Sequence, residues 1–542
     1  MPDPTDDLRP RFGRAIEAAF GPEHAGADPV LRPSQHERFG DYQANAAMSL
    51  AKPLGRNPRE VAGAIVEHLD VAGVAERPEV AGPGFINLRL LPGYLAAKLA
   101  EAAGDERLGV GTVADPETVV VDYSQPNVAK EMHVGHLRST IIGDAIVRVL
   151  EFLGHRVIRQ NHLGDWGTNF GMLIEHLADL GEEEAAAELS LGDLEAFYQQ
   201  AKVKFDGDPE FADRARRRVV ALQSGEEATL RSWQLLIDLS TAYFSTVYDL
   251  LDVRLTPDDL AGESFYNPML ADVAEELERT GLAVVDDGAL CVFPPGFTGR
   301  DGKPFPLMVR KSDGGFGYDT TDLAALRYRV QELKADRIVY VVDARQAQHF
   351  ALLFAAGRMA GWLDGRRAEH VAFGTVLGPD GRPFKTRAGG TVKLIALLEE
   401  AVAKARGVVE EKSPELDPAG QDGVARAVGV GAVKYADLSS DRVKDYVFDL
   451  DRMLAMDGNT APFLQYAHAR IRSIFRRGGE VAVAEAPVVL EDPAERALGL
   501  QLLRVESVVR EVDGTLQPHR LATYLFELAS IFTAFYEQCP VL

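Results

Sequence analysis

Cysteine is nearly absent: only Cys291 and Cys539 occur in 542 residues. They lie far apart and in no metal-ligand spacing, so neither a disulfide framework nor a structural zinc site is supported. Long apolar runs are missing too, and none approaches the roughly 20 residues that span a bilayer. The N-terminus, MPDPTDDLRPRFGRAIEAAFG, carries acids and prolines where a secretory signal needs a basic start and an apolar stretch, so a cytoplasmic location is expected. No repeat of solenoid length is present. With 46% hydrophobic and 26% charged residues, the chain reads as a large folded protein with room for several domains. Positive charge is scarce: 58 Lys and Arg stand against 82 Asp and Glu, a net charge of −24. That balance argues against a nucleic-acid partner, because phosphate contacts need cations. Yet basic residues cluster locally, in RARRRVV (214–220), KTRAGGTVK (385–393) and RIRSIFRR (470–477). Each cluster reads equally well as a solvated helix face or loop, and charge alone does not establish an RNA partner.

Three regions follow from patterning. Residues 1–112 combine helical stretches such as NPREVAGAIVEHL with the alternating EVAGPGFINLRLL, a small α+β domain. The middle region, 113–395, opens with the β-branched run ETVVVDYS. An apolar series follows at Leu137, Ile141, Ala145, Val149 and Leu153, repeating every four residues up to Gly154, where a helix would end. HRVIRQN is the next strand. Strand, loop, helix, strand is the unit of a parallel sheet with right-handed crossovers. The same order returns in ADRIVYVVDA, QHFALLFAAGRMAGW and AEHVAFGTVLG, and a helical insertion of about 182–282 separates the halves. From 396 to 542 the pattern becomes helical, with apolar stripes in APFLQYAHARIRSIFRR and LATYLFELASIFTAFYEQ.

At the join of the first strand and its helix stands HVGH. His133 and His136 share one face of a first helical turn, where unpaired N–H groups and the positive dipole end suit a phosphate. Gly135, lacking a Cβ, would let a flat base approach the backbone. Alone, the string reads more readily as two ordinary histidines near a helix start. Its place at the carboxyl end of a parallel strand, where open α/β sheets bind ligands, favours the functional reading. The glycine-rich LGPDGRPFKTRAGGTVKL (377–394) sets Lys385 and Arg387 where they could hold a polyphosphate; a plain basic surface loop is the alternative.

HVGH with a later basic loop resembles the signature pair of class I aminoacyl-tRNA synthetases. The flanking stretches SQPNVAKEMHVGHLRSTIIGD, NHLGDWGTNFGMLI, YDTTDLAALRYR, YVVDARQAQHFALLF and NTAPFLQYAHARIRSI resemble the arginyl-tRNA synthetase family, in order and from FGDYQANAAMSLAK to the C-terminus. The resemblance implies a Rossmann-type catalytic domain (113–395), an N-terminal domain that touches the tRNA elbow (1–112) and a helical anticodon-binding domain (396–542). It implies an enzyme that activates L-arginine with ATP, Mg²⁺ riding on the phosphates, and esterifies the terminal adenosine of tRNA(Arg). A monomer is the family expectation, and no protein-ligated metal or membrane partner is expected. In that family Asp322 and Tyr318 of YDTTD would meet the guanidinium, with Asp319 a neighbouring acid of no assigned role. Asn127, Asp122 and Gln346 would hold the other polar atoms of arginine. His133, His136, Gly135 and Lys385 would bind ATP, with Arg387 and Lys130 joining in catalysis.

The sequence departs from the class in two places. FKTRAG has no second lysine after Lys385, a loss that many arginyl enzymes share, and Lys130 before the histidines would supply the missing charge. Homologues usually continue past YEQCPVL, so the last domain is expected to be shortened, naturally or by truncation. For RNA, Phe85 could stack on an elbow base and Asn87 read its edge; a core phenylalanine and a turn asparagine are equally good readings. Tyr466, His468 and Arg470 mark the face expected at the anticodon. Two rivals stand beside the synthetase: a tRNA-binding relative without catalysis, and an adenylating enzyme of the same superfold that needs no RNA. Intact motifs speak against the first, and the flanking domains against the second.

Overall fold

The computed structural model describes residues 3–34, 36–181, 194–299, 302–384, 392–479 and 487–541. The chain divides into two compact units, one of residues 113–462 and 516–519, the other of 1–112, 463–515 and 520–542.

In the second of these units the N-terminal residues build an antiparallel sheet from β1 (Leu31–Pro33), β2 (Tyr42–Ala44), β3 (Glu79–Ala81) and β4 (Phe85–Leu88), in the order β1-β2-β4-β3. Helices Pro4–Phe20 and Pro58–His68 cover it, and Phe12, Ile16, Tyr42, Val61, Ile65 and Ile86 are fully or almost fully buried between them. Both helices start where proline follows a side-chain cap, Asp3 on Thr5 N–H and Asn57 on Arg59 N–H. The C-terminal residues add four helices, Ala461–Gly478, Pro493–Leu502, Val505–Thr515 and His519–Gln538.

The other unit is built on a parallel sheet. β5 (Thr118–Asp122) pairs with β6 (Arg156–Gln160) on one side. On the other side it pairs with β10 (Arg337–Tyr340), which in turn pairs with β11 (Arg367–His370). The order β11-β10-β5-β6 therefore reverses between β5 and β10. At such a switch point the connections leave in opposite directions, opening a crevice at the carboxyl ends of the two strands. Val119, Val120, Val121, Ile338 and Val339 are all 0% exposed, which is why these strands read as continuous apolar runs. Helix Val134–Phe152 crosses from β5 to β6 so closely that a Cβ on Gly143 would lie 2.4 Å from the Tyr123 side chain.

Between the two halves, long helices Leu194–Gly207, Pro209–Gln223 and Glu227–Leu251 are followed by a small antiparallel sheet of β7 (Ala283–Asp286), β8 (Ala289–Val292) and β9 (Leu307–Arg310). The β7–β8 turn is Asp287-Gly288, both at positive φ (47° and 82°), the geometry of a tight hairpin. The basic run 214–220 is largely neutralised: Arg214 and Arg218 pair with Glu175, and Arg216 with Asp213. Among the described residues no helix is long and apolar enough to cross a membrane.

Candidate active site

The segment linking β5 to helix Val134–Phe152 is built under strain. Ser124, Gln125 and Ala129 all have positive φ (76°, 54° and 57°), uncommon for residues with a Cβ. Each of their N–H groups is held by a side chain from elsewhere: Ser124 by Ser139 Oγ at 2.9 Å, Gln125 by Asn161 Oδ1 at 3.0 Å, Ala129 by Ser240 Oγ at 2.9 Å. Beneath them the Tyr248 hydroxyl sits 2.7 Å from Ser124 Oγ and accepts from Asn161 Nδ2 at 2.9 Å, while Thr140 Oγ1 donates to the His136 carbonyl. A buried polar network with this many partners fixes one backbone path, and here that path delivers the histidines.

His133 is the N-cap of its helix and, with His136, forms a capping box. His133 Nδ1 accepts from Gly135 N–H at 3.0 Å, and His136 Nδ1 accepts from His133 N–H at 3.1 Å. With both Nδ1 atoms acting as acceptors, each neutral ring carries its proton on Nε2 and presents it as a donor. Burial lowers the pKa of both, His136 to about 3 with His133 alongside, so neither is an imidazolium near pH 7. Gly135 is required by this cap as much as by any ligand, because a Cβ there would lie 2.7 Å from the His133 ring.

Acidic residues gather across the crevice. Asp322, on helix Tyr318–Gln331, accepts from His349 Nε2 at 2.6 Å, and Asp319 lies 3.3 Å from His349 Nδ1. Burial alone would lower the His349 pKa, but hydrogen bonds to the two carboxylates and their charges carry it up to about 9. The Tyr318 ring, largely exposed, lies 5.3 Å from the His349 ring. A third acid escaped the sequence reading. Glu263 opens the short helix Glu263–Tyr266, its N–H bonding the Leu163 carbonyl at 3.0 Å; its carboxylate takes a hydrogen bond from Trp166 N–H at 3.3 Å and has its pKa pushed up to about 7 by burial, then by Asp165 and Asp322. Glu263 stands near enough to Asp322 for the Asp322 charge to add to its pKa shift, so this part of the crevice is acidic, a place for a cation.

Other expected residues are placed differently. Asp122, at the end of β5, is buried and bound to the buried Arg329 at 2.7 Å, so its carboxylate already has a cation. Arg329 also donates to Gln160 at the end of β6 and lies over the Tyr340 ring at the end of β10. Asn127 bridges to Gly164, where any Cβ would lie 2.2 Å from Asn127 Oδ1. Gln346 is exposed in a short turn just past β10. Lys130 rests its ammonium 4.3 Å from the centre of the Tyr198 ring, a cation–π contact with the inserted helices. Lys385 and Arg387 lie outside the described residues. Where description resumes, Leu394 N–H bonds the Met132 carbonyl and Val134 N–H the Val392 carbonyl, and Lys393 pairs with buried Glu131 at 3.0 Å. Residues 392–394 thus lie directly beside His133. Among the described residues no group of three or more His, Cys, Asp or Glu side chains is arranged to hold a metal ion.

Residues 100–450 match the family described as tRNA synthetases class I (R), catalytic domain; residues 6–90 match the arginyl tRNA synthetase N terminal domain, and 464–542 the DALR anticodon binding domain. An arginine–tRNA ligase of Thermobifida fusca is 58% identical over 543 residues, covering 100% of this chain and 94% of that protein. One of Synechococcus elongatus is 52% identical over 556 residues, with the same coverage of each chain. The chain belongs to the arginyl-tRNA synthetase family. Its fold agrees with solved members: the Plasmodium falciparum arginyl-tRNA synthetase superposes with a TM-score of 0.85 at 32% identity, covering 99% of this chain and 93% of that one. The Thermus thermophilus enzyme gives 0.81 at 27% identity, covering 98% and 92%.

The residues expected at RNA in this synthetase lie in the unit of residues 1–112, 463–515 and 520–542. Phe85, half-buried, opens β4. Asn87 sits inside β4 rather than in a turn, is 7% exposed, and accepts from Gln43 Nε2 at 2.9 Å, which occupies its carbonyl. On helix Ala461–Gly478, Tyr466 is half exposed and His468 exposed, and Arg470 lies over the Tyr466 and Tyr536 rings at 4.8 Å from each. Arg470 thus makes cation–π contacts with both rings.

Proposed function

We propose that this arginine–tRNA ligase holds both substrates in the crevice at the β5–β10 switch point, the guanidinium of L-arginine between Asp322 and Glu263 and the phosphates of ATP at the helix end capped by His133 and His136. One observation carries the reading: Glu263, its pKa raised by burial, then by Asp165 and Asp322, stands near enough to Asp322 for the Asp322 charge to be felt, at the crevice where the capped helix begins. A guanidinium presents a planar fork of donors that can serve two carboxylates at once. Neutral Nε2–H groups and the helix N-terminus donate to phosphate oxygens without a fixed cation.

The arginine carboxylate then attacks the α-phosphorus in line. A P–O bond forms to the carboxylate, the bond to the β-phosphate oxygen breaks, and pyrophosphate leaves with its electron pair. The protein's part is to position the groups and to meet the charge that grows on the phosphates. Lys130, Lys385 and Arg387 offset the charge of that tail, which Mg²⁺ carried in with ATP would also help to neutralise. In the second step the 2′-hydroxyl of the terminal adenosine attacks the arginyl carbonyl and AMP departs, its phosphate taking the electron pair. Asp122 serves this site through Arg329, which ties the ends of β5, β6 and β10 to the helix bearing Asp322.

For tRNA, the N-terminal residues 1–112 meet the elbow and the C-terminal helices the anticodon, with Phe85, Tyr466, His468 and Arg470 as contacts. The monomeric, cytoplasmic state that the family resemblance implies belongs to the same proposal. Pyrophosphate exchange with arginine, run with and without tRNA(Arg), together with aminoacylation, tests it. Exchange that needs both arginine and tRNA supports the reading. Full exchange without RNA points to the RNA-independent rival, and binding of tRNA with no exchange to the non-catalytic one.

A further inference from the structure

The stretch FGDY (39–42) takes no part in the chemistry above, yet the fold places it at a joint. Gly40 has φ +82° and a Cβ there would lie 2.4 Å from the Leu88 carbonyl, so glycine lets the chain lie against β4. Next to it the Asp41 carboxylate is almost wholly buried, takes Leu90 N–H at 2.6 Å, and receives both Nε (3.2 Å) and Nη2 (2.5 Å) of Arg496. Arg496 Nη2 also donates to the Leu90 carbonyl at 2.7 Å.

Arg496 belongs to helix Pro493–Leu502, which touches both parts of its unit. On one side Leu500 packs on the N-terminal core, and Gly499 lets Leu99 come so near that a Cβ would lie 2.8 Å from its methyl. On the other, Gln501 bonds the Tyr524 carbonyl and Glu527 of helix His519–Gln538. A cavity of about 520 Å³ lies along this joint, lined by Pro33, Tyr42, Arg496, Leu500, Phe526 and Ile531 among others. Apolar contact across the joint is therefore incomplete, and its angle rests on polar contacts, of which the bidentate Asp41–Arg496 pair is the ionic one, beside those of Glu506 and Arg510 to Gly111.

We propose that Asp41 and Arg496 are positioning residues that make helix Pro493–Leu502 a strut, holding the elbow-contacting sheet and the anticodon-contacting helices at one spacing so that a single tRNA engages both. This rests on the reading that both surfaces touch the tRNA. Two surfaces held at the right separation bind one rigid ligand far more tightly than either does alone, and that gain is lost when the spacing wanders.

Full-length Asp41→Asn and Arg496→Gln are tested for binding to intact tRNA(Arg), to an anticodon-arm hairpin, and to a tRNA(Arg) lacking its anticodon arm. Both variants should lose roughly tenfold or more in affinity and KM for intact tRNA, keep each fragment's affinity within about twofold, and keep kcat at saturating tRNA. Unchanged affinity for intact tRNA overturns the strut, and so does a parallel loss on both fragments, which would mark structural damage. A wild-type protein that binds intact tRNA no better than a fragment fails the underlying reading instead. Should the pair variants not fold, Gly499→Ala wedges a methyl against Leu99 without touching a charge, and the same loss for intact tRNA alone is expected from it.

Discussion

On the proposed placement of the guanidinium, Glu263 makes arginine binding a titration. Its carboxyl has a pKa of about 7, raised by burial and then by the charges of Asp165 and Asp322. A guanidinium arriving between Glu263 and Asp322 favours the ionised form, so binding must release the proton that the free site holds. At pH 6 a group of pKa 7 is about 90% protonated, and the apparent affinity should be about tenfold below its value at pH 8, some 1.4 kcal/mol. Two neighbouring groups stay constant over this range: His349 keeps its proton up to about pH 9, and burial keeps His136 neutral. Arginine titrations by calorimetry at pH 6, 7 and 8, in two buffers of different ionisation enthalpy, should show affinity rising with pH and close to one proton released at pH 6. Glu263→Gln should flatten the profile. An affinity that is level from pH 6 to 8, with no proton released, would refute the placement of the guanidinium. The same shift has a stability sign. A carboxyl whose pKa is raised on folding binds more protons folded than unfolded, so stability of the ligand-free protein should fall as pH rises from about 4.5 through 7, by at most about 3 kcal/mol. Saturating arginine should remove that fall.

Asp322→Asn keeps the shape but removes a charge from the cation site, and arginine recognition should weaken by about 2 to 4 kcal/mol, read as KM; an unchanged KM would exclude Asp322. With one of its two acids gone, His349 should also titrate below pH 9, which proton NMR can follow. Lys130→Met should slow adenylate formation by about 10² while tRNA affinity stays level, because the reacting phosphates lose a partner; the lost cation–π contact with Tyr198 should cost only about 0.5 to 1 kcal/mol in a urea melt. Gly143→Ala drives a methyl into the Tyr123 side chain and should cost about 1 to 3 kcal/mol in a urea melt, since helix and strand must part to admit it.

The frame of the site was legible because its signals are local. β5 and β10 are buried on both faces and read as valine and isoleucine runs, and the crossing helix declares itself through apolar residues every four positions. The histidine cap at the start of that helix was legible for the same reason. What stayed hidden depends on residues distant in the chain. The left-handed turns at Ser124, Gln125 and Ala129 carry no glycine, and their supports at Ser139, Asn161 and Ser240 come from a helix and two later segments. Asp122 offered itself as a ligand, and only the fold shows Arg329, 207 residues further on, holding it. Glu263 is one acid among 82 Asp and Glu, and nothing short of its burial beside Asp165 and Asp322 sets it apart. The Asp287-Gly288 hairpin is a different case. Its turn residues are a strong local signal, flanked by AVV and ALCV, and they lie just past the longer helical pattern.

Charge in this crevice is arranged so that little of it stands unanswered before the substrates arrive. His349 offsets one of the two aspartates, Glu263 holds a proton near neutral pH, and both histidines of the cap are neutral. Buried charges without partners would be costly, and an acid that can take up a proton avoids the cost when the site is empty. This same arrangement bears on selectivity. A lysine ammonium is a point charge at the end of a shorter reach; set against Asp322 it leaves Glu263 protonated or unpaired, whereas the guanidinium fork can meet both. A site built to satisfy two acceptors at once rejects a ligand that satisfies one, because the second acid is then left buried without a partner. On the proposed placement, discrimination against lysine is therefore largest where Glu263 is ionised. It should widen as pH rises from 6 to 8, in step with the arginine affinity itself.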